Sequence, residues 1–217
     1  KRPGSCAVID FDGTLIDGDI SETTLVHAQA TGQLPRHGDW PRIRRRSWDD
    51  DPMAYYRAVA DEGDDGIPWG HYPGALLLAQ ACAGWELARL IAIADEAFAQ
   101  LTPRDDVVAL ISGLTLMNVD VRILSAGVGW LVRRYVHVHL NPRLVREGGK
   151  PVDLRQVIGV TTVLVDDSGN PWTDRQLRGD NGYLAGSDSQ TLQITEFVGE
   201  GIPFCLLYTS DAADDTP

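Results

Sequence analysis

Cysteine is nearly absent. Cys6, Cys82 and Cys205 are odd in number, far apart and outside any metal-ligand spacing. They make no disulfide framework, so a reducing compartment and a cytoplasmic location are expected. Lysine is scarcer still, with Lys1 and Lys150 alone, and the net charge is −12. Nothing supplies a broad cationic footprint, which excludes nucleic acid as a general partner. No apolar run approaches the length of a membrane span, and residues 1–20 lack a signal-peptide pattern, so no membrane partner is expected. Gly-rich nucleotide loops, a Ser-His-Asp order, heptads and internal repeats are missing too.

What is present reads as an α/β protein. A chain of 217 residues forms one sizeable core with an insert, or two small domains. "CAVIDF" (6–11) is a short, nearly continuous apolar run, the pattern of a strand buried on both faces, and "VDVRILS" (119–125) is a second. Between them, Thr102 suits a helix cap, Pro103 its first turn and Asp105 a capping box, with Val107, Leu110, Ile111 and Leu114 on one face. A helix leading into a second apolar strand is half of a parallel α/β unit, whose ligands collect at the carboxyl ends of the strands. Asp10 and Ser125 both stand at such ends.

Residues 17–101 differ in character. "SETTLVHAQATG" (21–32) reads as a helix stopped by Gly32, and "DPMAYYRAVADEG" (51–63) as one capped by Asp51 and stopped by Gly63. "WELARLIAIADEAFAQ" (85–100) sets Leu87, Leu90, Ile91, Ala94 and Phe98 on one stripe. These helices are expected to form a cap over the strand ends. "RIRRR" (42–46) lies within it as a solvated charged loop or an attractor of an anionic substrate, and Trp40, Trp48 and Trp69 as packing of the cap or lining of a pocket.

The motif "DFDGTL" (10–15) carries the chemistry. Residues i and i+2 of an extended segment face the same way, so Asp10 and Asp12 can address one substrate. One carboxylate can attack phosphorus and carry an aspartyl-phosphate, while the other protonates the leaving oxygen and then takes a proton from water. Gly13 lets the backbone approach phosphate oxygens, and Thr14 offers a hydroxyl and an amide. Paired acids repel each other, and Mg²⁺, a hard cation with oxygen ligands, removes that penalty. The alternative for an isolated D-x-D-G is a turn with a helix cap.

The pair "DFDGTL" (10–15) and "ILSAG" (123–127) resembles the first and second motifs of the haloacid dehalogenase (HAD) superfamily of phosphatases, over residues 5–132. The position of the helical insert is similar to that of the subgroup containing phosphoserine phosphatase. The resemblance implies a Rossmann-like parallel-sheet core (1–16 and 102–133) with an inserted helical cap (17–101). It implies Asp10 as nucleophile, Asp12 as acid/base, and Gly13, Thr14, Ser125 and Ala126 as substrate contacts. The substrate expected is a small phosphorylated metabolite. That superfamily also places a lysine after the second motif, for which Lys150 is the candidate, and an acidic metal-binding pair after a further strand. "TTVLVDDSGNPWTD" (161–174) offers Asp166 and Asp167, so Mg²⁺ is expected on Asp10, Asp12 and Asp167.

Residues 134–204 admit a second reading. "RYVHVHL" (134–140), "VTTVLV" (160–165) and "TLQITEFV" (191–198) each have a strand pattern, which together suit a small antiparallel unit. His137 and His139 would then share an exposed strand face. The run 158–194, with Ile158-Gly159 and "GYLAGSDSQTL", resembles the small β module of the ASPIC/UnbV family. In that case Asp166 and Asp167 are turn acids, and the chain is an incomplete HAD-like domain joined to a binding module. The chain begins with Lys1, and residues 205–217 shift abruptly to small and acidic types, which read as a non-native tail.

Overall fold

The computed structural model describes residues 5–34, 78, 85–160, 162–165, 171–172 and 193–198. Two of the expected strands form the centre of the core. β1 (Cys6–Asp10) runs parallel to β4 (Asp120–Val128), with Cys6 opposite Asp120 and Asp10 opposite Leu124. β4 outlasts its apolar run, continuing through Ser125-Ala126-Gly127 to Val128. Its buried positions alternate through Val121, Ile123, Ser125 and Gly127, as the pleat requires. β1 is less enclosed than its composition predicts. It is the outer strand of the order β1-β4-β5, and Val8 is 57% exposed.

The third strand, β5 (Val157–Val160), pairs parallel with β4. Its crossover runs through α4 (Gly129–Tyr135), a π-helical turn (Val136–Leu140), α5 (Asn141–Arg146) and a 3₁₀ turn (Leu154–Gln156). The strand expected at 134–140 is therefore helical. Leu131, Val132, Tyr135, Val136 and Leu140 are all buried, a helical spacing, whereas a strand would turn the neighbours Tyr135 and Val136 to opposite faces. The alternation of His137 and His139 with apolar residues is local to that turn and does not set the backbone.

α1 (Ile20–Ala30) packs on α2 (Leu87–Ala97), each burying one face. Gly32, at φ +68°, lets the chain leave α1, with the Gln33 amide donating back to Ala28 at 2.8 Å. The intervening helix expected at 51–63 lies outside the described residues, as do the arginine run and its tryptophans. Thr102 caps nothing. With Pro103 it forms β3 (Thr102–Pro103), antiparallel to β2 (Ile16–Asp17). α3 (Asp105–Leu116) starts after Arg104 without a side-chain cap, and Asp105 and Asp106 in its first turn complement the helix dipole. Its buried face is Val108, Ile111, Ser112 and Thr115, one residue round from the face expected, and Leu110 is 54% exposed.

β6 (Thr162–Val165), β7 (Pro171–Trp172) and β8 (Gln193–Val198) form a separate antiparallel sheet in the order β7-β6-β8. Two of the three strands expected of a small β unit are thus in one sheet. The α/β core nevertheless extends to Val160, past the start of the run that resembles the module.

Candidate active site

β1 ends at Asp10, and the chain turns at once. The Leu15 and Ile16 amides donate to the Phe11 carbonyl at 2.9 and 3.1 Å, and the Gly13 amide donates to Gly18 at 3.0 Å. Gly13 has φ +68°, in the left-handed region that favours glycine. The side chain of Phe11 is fully buried and meets Tyr135 edge-on at 5.5 Å, which anchors the segment between the two acids. Thr14 Oγ1 donates to Asp10 Oδ2 at 2.8 Å. The Thr14 hydroxyl expected to meet phosphate oxygens is thus engaged within the loop.

Asp12 sits between β4 and the start of α1. Its Oδ1 accepts from the Ile20 amide at 2.8 Å, and its Oδ2 from the Ser125 hydroxyl at 2.6 Å. Ser125 Oγ in turn accepts from the Gly127 amide at 2.7 Å. Burial, followed by the nearby Asp19 carboxylate, pushes the Asp12 carboxyl up from 3.8 to about 7. The bonds from Ser125 and Ile20 pull it down, and Asp10 adds a smaller upward push. Burial raises Asp19 as well. A proton on Asp12 near neutral pH is what a general acid needs.

The structure therefore brings Asp10, Asp12, Thr14 and Ser125 together at matching strand ends, with Gly13 in the turn and half-buried Ala126 beside Ser125. Lys150 is not among them. Its ammonium donates to Asn118 Oδ1 at 2.6 Å, just before the first residue of β4. Asp10 lies opposite Leu124, four residues further along β4, about 13 Å at the usual strand rise. The expectation that Lys150 meets the substrate is corrected accordingly: it occupies the other end of the sheet, because α5 returns the chain there before β5 begins. Asp166 and Asp167 lie outside the described residues.

Several contributors were not read from the sequence. Asp19 caps α1 by accepting from the Glu22 amide at 2.7 Å, a D-x-x-E pattern that is visible once looked for. The fully buried start of α1 also places Ser21, whose hydroxyl accepts from the Val128 amide at 3.1 Å. Arg104 Nη1 donates to the Gly13 carbonyl at 3.3 Å, setting a cation on the turn. Only the antiparallel β2–β3 pair brings it there.

No family model and no curated protein matches the chain. Among the solved structures that overlay on it are hydrolases of the HAD family. A phospho-aspartyl intermediate analogue of phosphoserine phosphatase matches with TM-score 0.40 and 12% identity, over 79% of this chain and 63% of that one. A functionally unknown protein from Anaerococcus prevotii DSM 20548 matches with TM-score 0.49 and 13% identity, over 80% and 65%. A HAD family hydrolase from Salmonella enterica subsp. enterica serovar Typhi gives 0.43 and 13%, over 80% and 46%. The chain spans 63% and 65% of the first two structures. At this level the likeness carries no chemistry, which rests on the side chains above.

Among the described residues, no group of three His, Cys, Asp or Glu side chains is arranged to hold a metal ion. Asp10 and Asp12 are oxygen donors of the kind a hard cation takes, with both Asp12 oxygens already accepting hydrogen bonds from Ile20 and Ser125. Two acids make only part of a coordination shell. No helix among the described residues is long and apolar enough to cross a membrane.

Proposed function

We propose that this protein is a phosphatase that hydrolyses a small phosphomonoester through an aspartyl-phosphate on Asp10. The observation that carries the reading is the Asp12 carboxyl, raised to about 7 and clamped beside the end of β1. A raised acid next to a second carboxylate divides the roles: the acid that keeps its proton serves the leaving group, and its neighbour attacks. In the first step an Asp10 oxygen bonds to phosphorus, the ester P–O bond breaks, and the Asp12 proton goes to the departing oxygen. In the second, water attacks phosphorus and gives its proton to Asp12, releasing phosphate and restoring Asp10. Thr14 orients Asp10 through its 2.8 Å bond. Asp10, with Asp167 as the sequence motif expects, would hold Mg²⁺, while Asp12 keeps its proton for the leaving group. The bound cation would neutralise the phosphoryl oxygens.

The test is a panel of phosphomonoesters assayed with Mg²⁺ and with EDTA. Turnover should require the cation and vanish in Asp10→Asn, which removes nucleophilicity at almost no change in volume. Equal turnover by Asp10→Asn and the parent would end the covalent mechanism. A second reading, an incomplete HAD-like domain carrying a β binding module, draws support from the separate β7-β6-β8 sheet and from the distance of Lys150. It predicts no turnover of any ester.

A further inference from the structure

We infer that the outward face of α3 docks a second copy of this chain, with the two α3 helices antiparallel about a two-fold axis. The inference is independent of the phosphatase reading. Between Asp106 and Asp120 the chain carries no charged side chain. A helix packed on one side ordinarily turns polar residues to water, and a helix that is apolar all round is buried all round. α3 buries Val108, Ile111, Ser112 and Thr115. On its other side Leu110 and Leu116 are each 54% exposed, and Met117, at its cap, is 68% exposed. Large apolar side chains gathered within two turns form a patch, unlike the scattered single exposures that need no partner.

The order of residues along that face favours another helix. Asp106, Leu110, Gly113 and Met117 follow one another at intervals of four, three and four, the spacing of a seam between two helices. Ala109 and Leu116 flank the seam on one side and half-buried Leu114 on the other. Its two ends carry opposite charge. Asp106 begins it, with a side chain that is 76% exposed and meets Arg104 only at 3.9 Å. Asp105 is drawn aside toward α5 by Arg143 at 2.7 Å. Beyond Met117, the exposed Lys150 holds its ammonium on Asn118 Oδ1 at 2.6 Å. This polarity selects the occupant. A parallel copy would set Asp106 against its own equivalent. An antiparallel copy, with the axis near Gly113, sets Asp106 beside Lys150 of the partner subunit and Leu110 beside Met117 of the partner subunit. The face is thus its own complement, as docking about a two-fold axis requires.

A single helix pair stands at the small end of specific interfaces, so the dimer should dissociate on dilution through the micromolar range. Sedimentation velocity of the full chain across that range is the test. The parent should sediment as a dimer when concentrated and as a monomer when dilute. Leu110→Glu and Met117→Glu, both at exposed positions, should weaken association by about tenfold or more, because docking would bury a charge with nothing to pair it. Neither should lower the melting temperature of the dilute protein. Val26→Glu, on the exposed side of α1, should leave association unchanged. Asp106→Lys should weaken it by about three- to tenfold as the rim ion pairs turn repulsive, and adding Lys150→Glu should restore it. A parent that is monomeric at every concentration overturns the proposal. In that case a melting temperature lowered by Leu110→Glu shows the face covered within the chain, and an unchanged one leaves it to a different partner. A dimer indifferent to Leu110→Glu and Met117→Glu overturns it equally, by placing the interface elsewhere. A dimer that both weaken, but that neither Asp106→Lys nor the double variant alters, refutes the antiparallel docking.

Discussion

Gly159→Ala tests whether β5 belongs to the core, and its expected cost follows from contacts at one atom. A Cβ at this position would lie 2.6 Å from Gly129 Cα, 2.8 Å from the Gly127 carbonyl oxygen and 2.9 Å from the Gly129 nitrogen. All three are backbone atoms at the junction of β4 and α4, so no side chain can swing aside. Ordinary carbon contacts sit at about 3.5–4.0 Å, so β5 must retreat by roughly 1 Å. Overpacking of this kind costs about 1–3 kcal/mol. At about 2 kcal/mol, and with 2–4 °C lost per kcal/mol in a domain of this size, the melting temperature should fall by about 4–8 °C. Gly113→Ala is the control: it lies inside α3 with no atom within 4 Å of the added Cβ. It should stabilise the protein by about 0.5–1 kcal/mol through helix propensity. Thermal and urea unfolding of both variants and the parent give the comparison. An unchanged melting temperature in Gly159→Ala would refute the packing of β5 against β4 and return residues 158–194 to a separate module.

Three other outcomes are expected. In metal-free protein, Asp12 holds its proton in the folded state between 3.8 and about 7, where the unfolded chain has lost it. Its contribution to stability therefore falls as pH rises through that window. Asp12→Asn should flatten the slope of melting temperature against pH in EDTA, and an unaltered slope would show that Asp12 is not the group responsible. Tyr135→Phe removes a buried hydroxyl that has no hydrogen-bond partner among the described residues, while Phe11 and Phe98 keep their edge contacts at 5.5 and 5.3 Å. It should raise stability by about 1 kcal/mol, the lower end of the cost of an unsatisfied group, and a marked loss in urea unfolding would reveal a missed partner. Lys150→Ala should leave kcat/KM for any substrate ester unchanged, since its ammonium bonds Asn118 at the far end of β4. A large kinetic loss would return it to the reaction.

The elements legible in the sequence were those whose signals are local. The apolar runs ending in Asp10 and near Ser125 read as strands because they are short, rich in β-branched residues and followed by turn-forming residues. The D-x-D spacing keeps both acids at one strand end, although the chain turns after Asp10 and strand alternation does not set the direction of Asp12. The helical stripe at 85–100 and the glycine stop at Gly32 are equally local, and α1 and α2 follow them closely. Pairing partners are not local. Thr102 looks like a cap, yet the β2–β3 ladder claims it. The 134–140 stretch alternates like a strand, yet burial of the neighbours Tyr135 and Val136 together with Leu140 suits only a helix. Lys150 was assigned by elimination, and the path of the crossover carries it to the opposite end of the sheet. The environment of Asp12 came from tertiary structure altogether. Ile20, Asp19 and Ser125 meet it from two elements more than a hundred residues apart, and its proton affinity is set by burial and by neighbouring charge, which no spacing in the chain encodes.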